Sequence, residues 1–211
     1  MRRFVLLLVI ASLCLMSIST CFASEMKTVF ANNDKYTFYD VPKSFQDLPI
    51  KKSFCAYNGE DKNLFMSSQV YFMSVAGGPM GGDLNTYKDT QLKAFINLKP
   101  FTSKLVKLEV KNIHKNYTMI NGERALWTNF DMVVPQYPNI PLFNCVEISF
   151  IKDSTWYIFA YQIQAGAMME YARSKENSDA LFLNKMLEIR GLIGESVKSI
   201  HVKSVYTKAA K

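Results

Sequence analysis

A succession of β-hairpins between residues 105 and 164 constrains the fold of this chain more than any other feature. Apolar and charged residues alternate from Leu105 to Lys111, which predicts a strand buried on one face. Asn121-Gly122 is a strong signal for a tight turn between strands at Tyr117–Ile120 and Glu123–Val134. Because strands joined by tight turns run in opposite directions, the sheet should be mainly antiparallel.

Further strands are predicted where β-branched and aromatic residues are dense. They are Tyr36–Val41, Phe54–Tyr57, Leu64–Val75, Phe143–Ile151 and Thr155–Gln164. The last two flank a turn at residues 152–155. An edge strand within Ser196–Val202 completes the set.

Two helices are expected from apolar residues at helical spacing. The first follows Asp83, carries Leu84 and Leu92 on its apolar stripe and ends near residue 100. The second begins near Ser178 and ends at about Ile193, where glycines mark its fraying end. Together these elements predict an α+β fold, a mainly antiparallel sheet of six or seven strands packed with helices.

Residues 35–203 should form a single globular domain. A hydrophobic share of 49% and an aromatic share of 13% are enough for a packed core, and no linker divides the chain. Residues 24–34 are expected to be a flexible N-terminal segment, and residues 204–211 a Lys-rich tail.

Residues 1–23 have the pattern of a secretory signal peptide. Arg2 and Arg3 precede an apolar run from Phe4 to Leu15, and the segment ends in small residues that suit cleavage between Ala23 and Ser24. The protein is therefore expected to be exported, either periplasmic or secreted.

Two alternatives for this segment stay open. Phe4–Ala23 is about as long as a bilayer span, so it would also serve as an uncleaved membrane anchor. Cys21 lies in a sequence that loosely resembles a lipoprotein signal. All three interpretations put the globular domain on the same side of the membrane.

Cys55 and Cys145 are the two cysteines that follow the signal. An even number of cysteines in an oxidising compartment favours a disulfide between them. The alternative is two separate buried thiols.

The composition favours neither catalysis nor nucleic-acid binding. Only two histidines, His114 and His201, are available, so a His-rich metal site is excluded, and no serine or cysteine nucleophile signature is found. The protein is expected to be no enzyme and to need no cofactor. Its basic residues are dispersed, which argues against nucleic acid as a partner while leaving weak contact with an anionic surface open.

Two candidate binding features remain. Three prolines stiffen the segment from Val134 to Pro141 and expose Tyr137 and Ile140, which with Met80 of a Gly-rich loop predict a partner-docking edge. A rigid connection without a ligand is the alternative. Separately, aromatic residues of the strands are candidates for a pocket between sheet and helices: Trp127, Trp156, Tyr157, Phe159 and Tyr161.

The order of these elements resembles the PsbP-like fold family, and most closely the small exported bacterial proteins called DcrB-like. The segments that carry the resemblance are Tyr36–Pro42, the helix near Leu84–Asn97, Asn121–Trp127, Thr155–Tyr161 and Ser196–Ile200. The resemblance implies an α/β/α sandwich and a non-enzymatic adaptor or assembly role.

The expected function is that of an exported, non-catalytic accessory or binding protein, acting through contacts with an unknown protein partner in the cell envelope. The alternative is a small-molecule or lipid carrier that uses the aromatic pocket.

Overall fold

The computed structural model describes residues 25–30, 37–47, 56–58, 65–74, 84, 86, 88–89, 92, 108–153 and 155–202. Ten strands and two complete helices lie within these ranges. The strands are β1 (Met26–Phe30), β2 (Thr37–Pro42), β3 (Phe45–Asp47), β4 (Ala56–Asn58), β5 (Met66–Ser74), β6 (Glu109–Ile120), β7 (Glu123–Val133), β8 (Pro141–Lys152), β9 (Thr155–Ile163) and β10 (His201–Val202). The helices are α1 (Ala165–Arg173) and α2 (Ser178–Ser199).

The expected α+β class with mainly antiparallel strands is confirmed. The described strands are divided among three sheets. The largest has the order β5-β9-β8-β7-β6, a second has the order β1-β2-β10, and β3 pairs with β4. Every pairing between the described strands is antiparallel. From β6 to β9 this follows from successive hairpins.

Two features of the β6–β7 hairpin follow from local backbone chemistry. Asn121 and Gly122 both have positive φ, at 50° and 80°, as a two-residue turn between twisted strands requires. Residues 109–111 of the first predicted strand and residues 117–120 of the second belong to the single strand β6. Its register shifts between Lys111 and His114, where Asn112 also has a positive φ of 53°.

The main core lies between one face of the five-stranded sheet, the three-stranded sheet and α2. Tyr39 of β2 contacts Phe159 of β9 edge to face, with ring centroids 5.4 Å apart. The Tyr39 hydroxyl lies 3.0 Å from Ser68 Oγ of β5, and the buried Tyr161 hydroxyl lies 2.9 Å from Ser196 Oγ of α2. These contacts join all three layers.

Two sequence expectations about the ends of the domain are wrong. Met26–Phe30, predicted to be flexible, pairs with β2 from Met26↔Pro42 to Phe30↔Phe38. Helix α2 continues to Ser199, so the expected edge strand shrinks to His201–Val202. The helix continues because Leu192, Ile193 and Val197 extend its buried face.

Helix α1 was not expected from the sequence. It follows β9 directly and buries Ala165, Met168 and Ala172, which are three and seven residues apart along one helical face. Neither α1 nor α2 combines the length and the apolar character needed to cross a bilayer.

Gly122 and Gly191 provide a matched pair of substitutions that tests this backbone description. Gly122→Ala should lower the free energy of unfolding by about 1 kcal/mol, because an alanine at φ +80° is strained. Gly191→Ala should raise it by roughly 0.5–1 kcal/mol, because Gly191 lies inside α2 and a Cβ there meets nothing within 4 Å. Urea denaturation of the two variants measures both effects, and equal effects in the same direction would contradict the assigned turn.

Candidate binding site

The central strand β8 is buried on both of its faces. All seven residues from Asn144 to Phe150 are buried. Val146, Ile148 and Phe150 point into the main core. The alternate residues, including Cys145 and Glu147, therefore point to the opposite face of the sheet.

Helical residues cover that opposite face. Leu84, Lys88 and Leu92 have helical conformation and are four residues apart, so they lie on one side of the helix. Leu84 packs against Trp156 and Ile158. Leu92 packs in a second apolar cluster with residues of β7 and β8, namely Phe130, Met132 and Cys145.

Lys88 lies between these two apolar contacts and forms an ion pair with Glu147 of β8. Lys88 is 0% exposed and Glu147 is 3% exposed. Since a buried charge without a partner is very unfavourable, each of these residues requires the other. The pair therefore fixes the helix over the centre of the sheet.

Burial also changes the acid–base chemistry of this pair's surroundings. It lowers the pKa of Lys88 to about 7, an effect that nearby Cys145 opposes and Lys115 reinforces. Lys115 itself forms an ion pair with Asp89, the residue that follows Lys88 in the helical segment. Burial is also the main reason that the pKa of the Cys145 thiol is raised to about 12.

A cavity of about 270 Å³ lies on this face of the sheet, beside the ion pair. Its apolar lining comes from Leu108, Phe130, Met132 and Phe143. The polar lining comes from β5, β8 and β9, and it includes Ser67, Gln69, Tyr71, Glu147 and Gln162. Tyr71 is 38% exposed and donates a hydrogen bond to Gln69, which places these two residues at the rim.

Two titratable groups of the cavity lining are constrained by their surroundings. The carboxylate of Glu147 is engaged by Lys88, and the Cys145 thiol stays protonated at neutral pH. Across the described residues, no group of three or more His, Cys, Asp or Glu side chains is placed to hold a metal ion.

The structure corrects the expected disulfide between Cys55 and Cys145. Cys145 is a free, buried thiol, packed against Phe130, Met132 and Leu92. Its side chain fills a place in an apolar cluster, as a small hydrophobic residue would. Cys55 lies outside the described residues, as do Ala23, Ser24 and Met80.

Tyr137 and Ile140, two residues of the expected docking edge, are exposed. They lie in the connection between β7 and β8 and are 64% and 42% exposed. Two successive turns hold this connection, because Tyr137 N–H donates to Val134 O at 2.8 Å and Ile140 N–H donates to Tyr137 O at 3.1 Å. The connection joins the strand ends that carry Met132 and Phe143, so it lies at the apolar end of the cavity.

The five aromatic residues expected to form one pocket are divided between the two faces of the sheet. Tyr157, Phe159 and Tyr161 are buried in the main core, where Phe150 stacks on the first two with centroid distances of 5.5 and 6.1 Å. Trp127 packs against the same core, whereas Trp156 lies under Leu84 on the opposite face. Only Tyr161 of the five also lines the described cavity.

Lys88 and Glu147 are the site residues that the sequence analysis missed as a pair. Glu123 of β7 pairs with Lys152 of the neighbouring strand at 3.4 Å, whereas Glu147 is paired with a lysine of the helical segment. The available signal was the spacing of Leu84, Lys88 and Leu92, which puts a lysine in the middle of an apolar helical stripe.

Solved structures with the same arrangement of elements identify the fold. The Ran-binding protein Mog1p of Saccharomyces cerevisiae matches with a TM-score of 0.53 and 11% identity, over 85% of this chain and 96% of that one. The chain has a Mog1/PsbP-like fold. A variant of protein Mog1 matches the Mog1/PsbP-like domain with a TM-score of 0.55 and 13% identity, over 86% and 97% of the two chains.

Cyanobacterial PsbP (CyanoP) from Synechocystis sp. PCC 6803 also matches this Mog1/PsbP-like domain. The TM-score is 0.52 at 8% identity, over 87% of this chain and 96% of that one. No family model and no curated protein matches the sequence. The PsbP-like architecture expected from the order of elements is thus confirmed at the level of the fold.

Replacing Lys88 tests the importance of the buried pair. Lys88→Met should lower the free energy of unfolding by roughly 3–5 kcal/mol, because it leaves the Glu147 carboxylate buried without its partner. Lys198→Met is the matched control, since Lys198 forms an exposed pair with Glu195, and it should cost less than about 1 kcal/mol. The double variant Lys88→Met/Glu147→Leu should recover most of the loss. A large effect at Lys198, or none at Lys88, would contradict the assignment.

The low pKa of Lys88 predicts how stability depends on pH. Lys88 loses its proton near pH 7 in the folded protein and near its ordinary value of 10.5 in the unfolded chain. The unfolded state therefore binds more protons above about pH 7, and the free energy of unfolding should rise with pH, approaching about 1.4 kcal/mol per pH unit.

The measurement is the difference in stability between the wild type and Lys88→Met from about pH 7 to about pH 9. The pH window ends at about 9 because titration of Cys145 begins to affect stability there. The ordinary pKa of a thiol is 9.0, whereas burial raises the pKa of Cys145 to about 12 in the folded protein. Above about pH 9 this difference lowers the free energy of unfolding as pH rises, which is opposite to the effect of Lys88. A difference that stays flat or falls across this window would exclude the assigned pKa of Lys88.

Proposed function

We propose that this protein is an exported, non-catalytic binding protein of the DcrB-like kind, which acts through protein contacts in the cell envelope. The single observation that carries the proposal is the rigid, exposed connection between β7 and β8. It presents Tyr137 and Ile140 to solvent while two turns fix its backbone. A rigid segment loses little conformational entropy on binding. More of the free energy gained by burying its apolar side chains therefore remains as binding affinity.

The chemistry of this surface defines the kind of partner that it suits. Residues 132–144 contain no charged side chain. The contact should therefore be apolar with amide hydrogen bonds, and it should depend little on salt. A complementary partner surface is one that offers an apolar groove or patch of its own.

The state of the buried groups supports binding rather than catalysis. The Glu147 carboxylate is held in an ion pair with Lys88, and the Cys145 thiol stays protonated, so neither group of the described cavity lining is a free base or an activated nucleophile. Mog1p, which has the same fold, is named a Ran-binding protein. That name supports a binding role for a protein with this fold. It does not identify the partner of the present chain.

The alternative carrier function relied on an aromatic pocket between sheet and helices. In the described part of the chain, those side chains fill the main core or lie on the opposite face. The protein-contact function is therefore the one that the exposed residues favour.

Site-specific photo-crosslinking in intact cells tests this proposal. A photoreactive phenylalanine analogue at position 137 should give one discrete protein adduct. The same analogue at Leu183, which is 57% exposed on α2, is the matched control and should not give that adduct.

The substitution Ile140→Ser, introduced beside the crosslinker, should weaken the complex by a factor of about 30 if Ile140 is a hot spot. Yield of the adduct as a function of protein expression measures this change. Identical adducts from positions 137 and 183, or adduct formation that is unaffected by Ile140→Ser, would refute the proposed contact.

A further inference from the structure

The cavity beside Glu147 has properties that the proposed protein contact does not use. Its volume of about 270 Å³ exceeds the roughly 150 Å³ of an engineered apolar cavity that binds benzene, and it falls just below the range of about 300–1,000 Å³ for drug-sized ligands. A molecule of one or two rings fits these limits.

The apolar side of the cavity favours an aromatic molecule. Phe130 and Phe143 supply ring surfaces from neighbouring strands, and Met132 supplies a thioether beside them. Aromatic pairs and sulfur–aromatic contacts both contribute beyond the burial of apolar area. A planar ring that packs against these three side chains gains binding free energy from each contact.

The polar side of the cavity requires a group that both donates and accepts hydrogen bonds. Gln162 of β9 offers a carboxamide with donors and an acceptor, and Ser67 of β5 offers a hydroxyl opposite it in the strand register. A pure hydrocarbon would remove water from these groups without replacing its hydrogen bonds.

The charge balance of the site favours an uncharged molecule. Glu147 is the ionisable group in the cavity lining with a partner of opposite charge, and Lys88 already neutralises it. A charged ligand would have to lose its hydration without gaining a free counter-charge in the described lining.

We propose that this cavity is a binding site for a small, uncharged heteroaromatic molecule of one or two rings. The ring packs against Phe130, Met132 and Phe143, and its polar edge is hydrogen-bonded by Gln162. Tyr137 and Ile140 lie beside the cavity but are not part of its lining, so either function stands without the other.

Indole is a suitable probe, because it is bicyclic, uncharged and carries one N–H donor. The first measurement uses the wild-type protein with isotopically labelled methionine methyl groups. Indole should cause a saturable shift of the Met132 methyl signal, since Met132 lines the cavity, and leave the signal of Met119 unchanged. Met119 is the control because it is 61% exposed and lies near the turn between β6 and β7, outside the cavity lining.

The second measurement compares two alanine-to-leucine variants. Ala160 lines the cavity and lies directly opposite Glu147 in the β8–β9 register. Ala160→Leu should therefore fill the cavity and weaken indole binding at least tenfold in calorimetry. Ala180→Leu, on the exposed side of α2, should bind indole as the wild type does.

Two further comparisons identify the recognised chemistry. Gln162→Leu should weaken indole binding roughly tenfold through loss of the hydrogen bond. Indole-3-acetate, which is anionic, should bind at least tenfold more weakly than indole to the wild type.

The proposal is overturned if indole leaves the Met132 signal unchanged or shifts the Met119 signal equally. It is also overturned if Ala160→Leu binds indole as tightly as Ala180→Leu does. Crosslinking from position 137 would be unaffected by either result, which separates the failure of this proposal from that of the protein contact.

Discussion

The burial of β8 on both faces is the constraint on which the rest of the structure depends. The apolar residues on one face of β8 pack in the main core. The other face of β8 carries Cys145, Glu147 and Ser149. A helix can cover such a face only if it brings a compensating charge, and Lys88 provides that charge. The ion pair thus converts a half-polar face into the floor of a second, smaller core.

This arrangement has a consequence for function. A carboxylate, a lysine of low pKa and a thiol lie close together, as they do in many active sites. Here the carboxylate and the lysine are held together in one buried ion pair, and burial keeps the thiol protonated. What remains accessible is a neutral cavity, with the uncharged Tyr137–Ile140 connection at its apolar end.

The sequence was most informative where local chemistry decides the conformation. Asn121-Gly122 specified its hairpin because few residues adopt positive φ readily. Exposure of Tyr137 and Ile140 also followed from a local pattern of prolines. The fold class and the resemblance to PsbP-like proteins rested on the order of such elements, and both hold at the level of the fold.

Sequence reasoning failed where contacts between distant segments override local preference. Gly191 and Gly194 suggested the end of a helix, yet α2 continues past them because Ser196 Oγ lies 2.9 Å from the Tyr161 hydroxyl and donates to Asp40 O at 2.5 Å. The sequence predicted that Met26–Phe30 is flexible, but in the structure this segment pairs with β2. The sequence favoured a disulfide at Cys145, but in the structure this thiol is packed against Leu92 and Phe130.

The sequence by itself determined the hairpin strands from β6 to β9, their turns and the antiparallel character of the sheet, because these depend on residues that are neighbours along the chain. Only the tertiary structure decided which face of β8 receives a helix, that Lys88 meets Glu147, and that a cavity remains beside them. These outcomes depend on the packing of segments about 60 residues apart in the chain, and the free energy of burying a charge is set by the partner that it finds there.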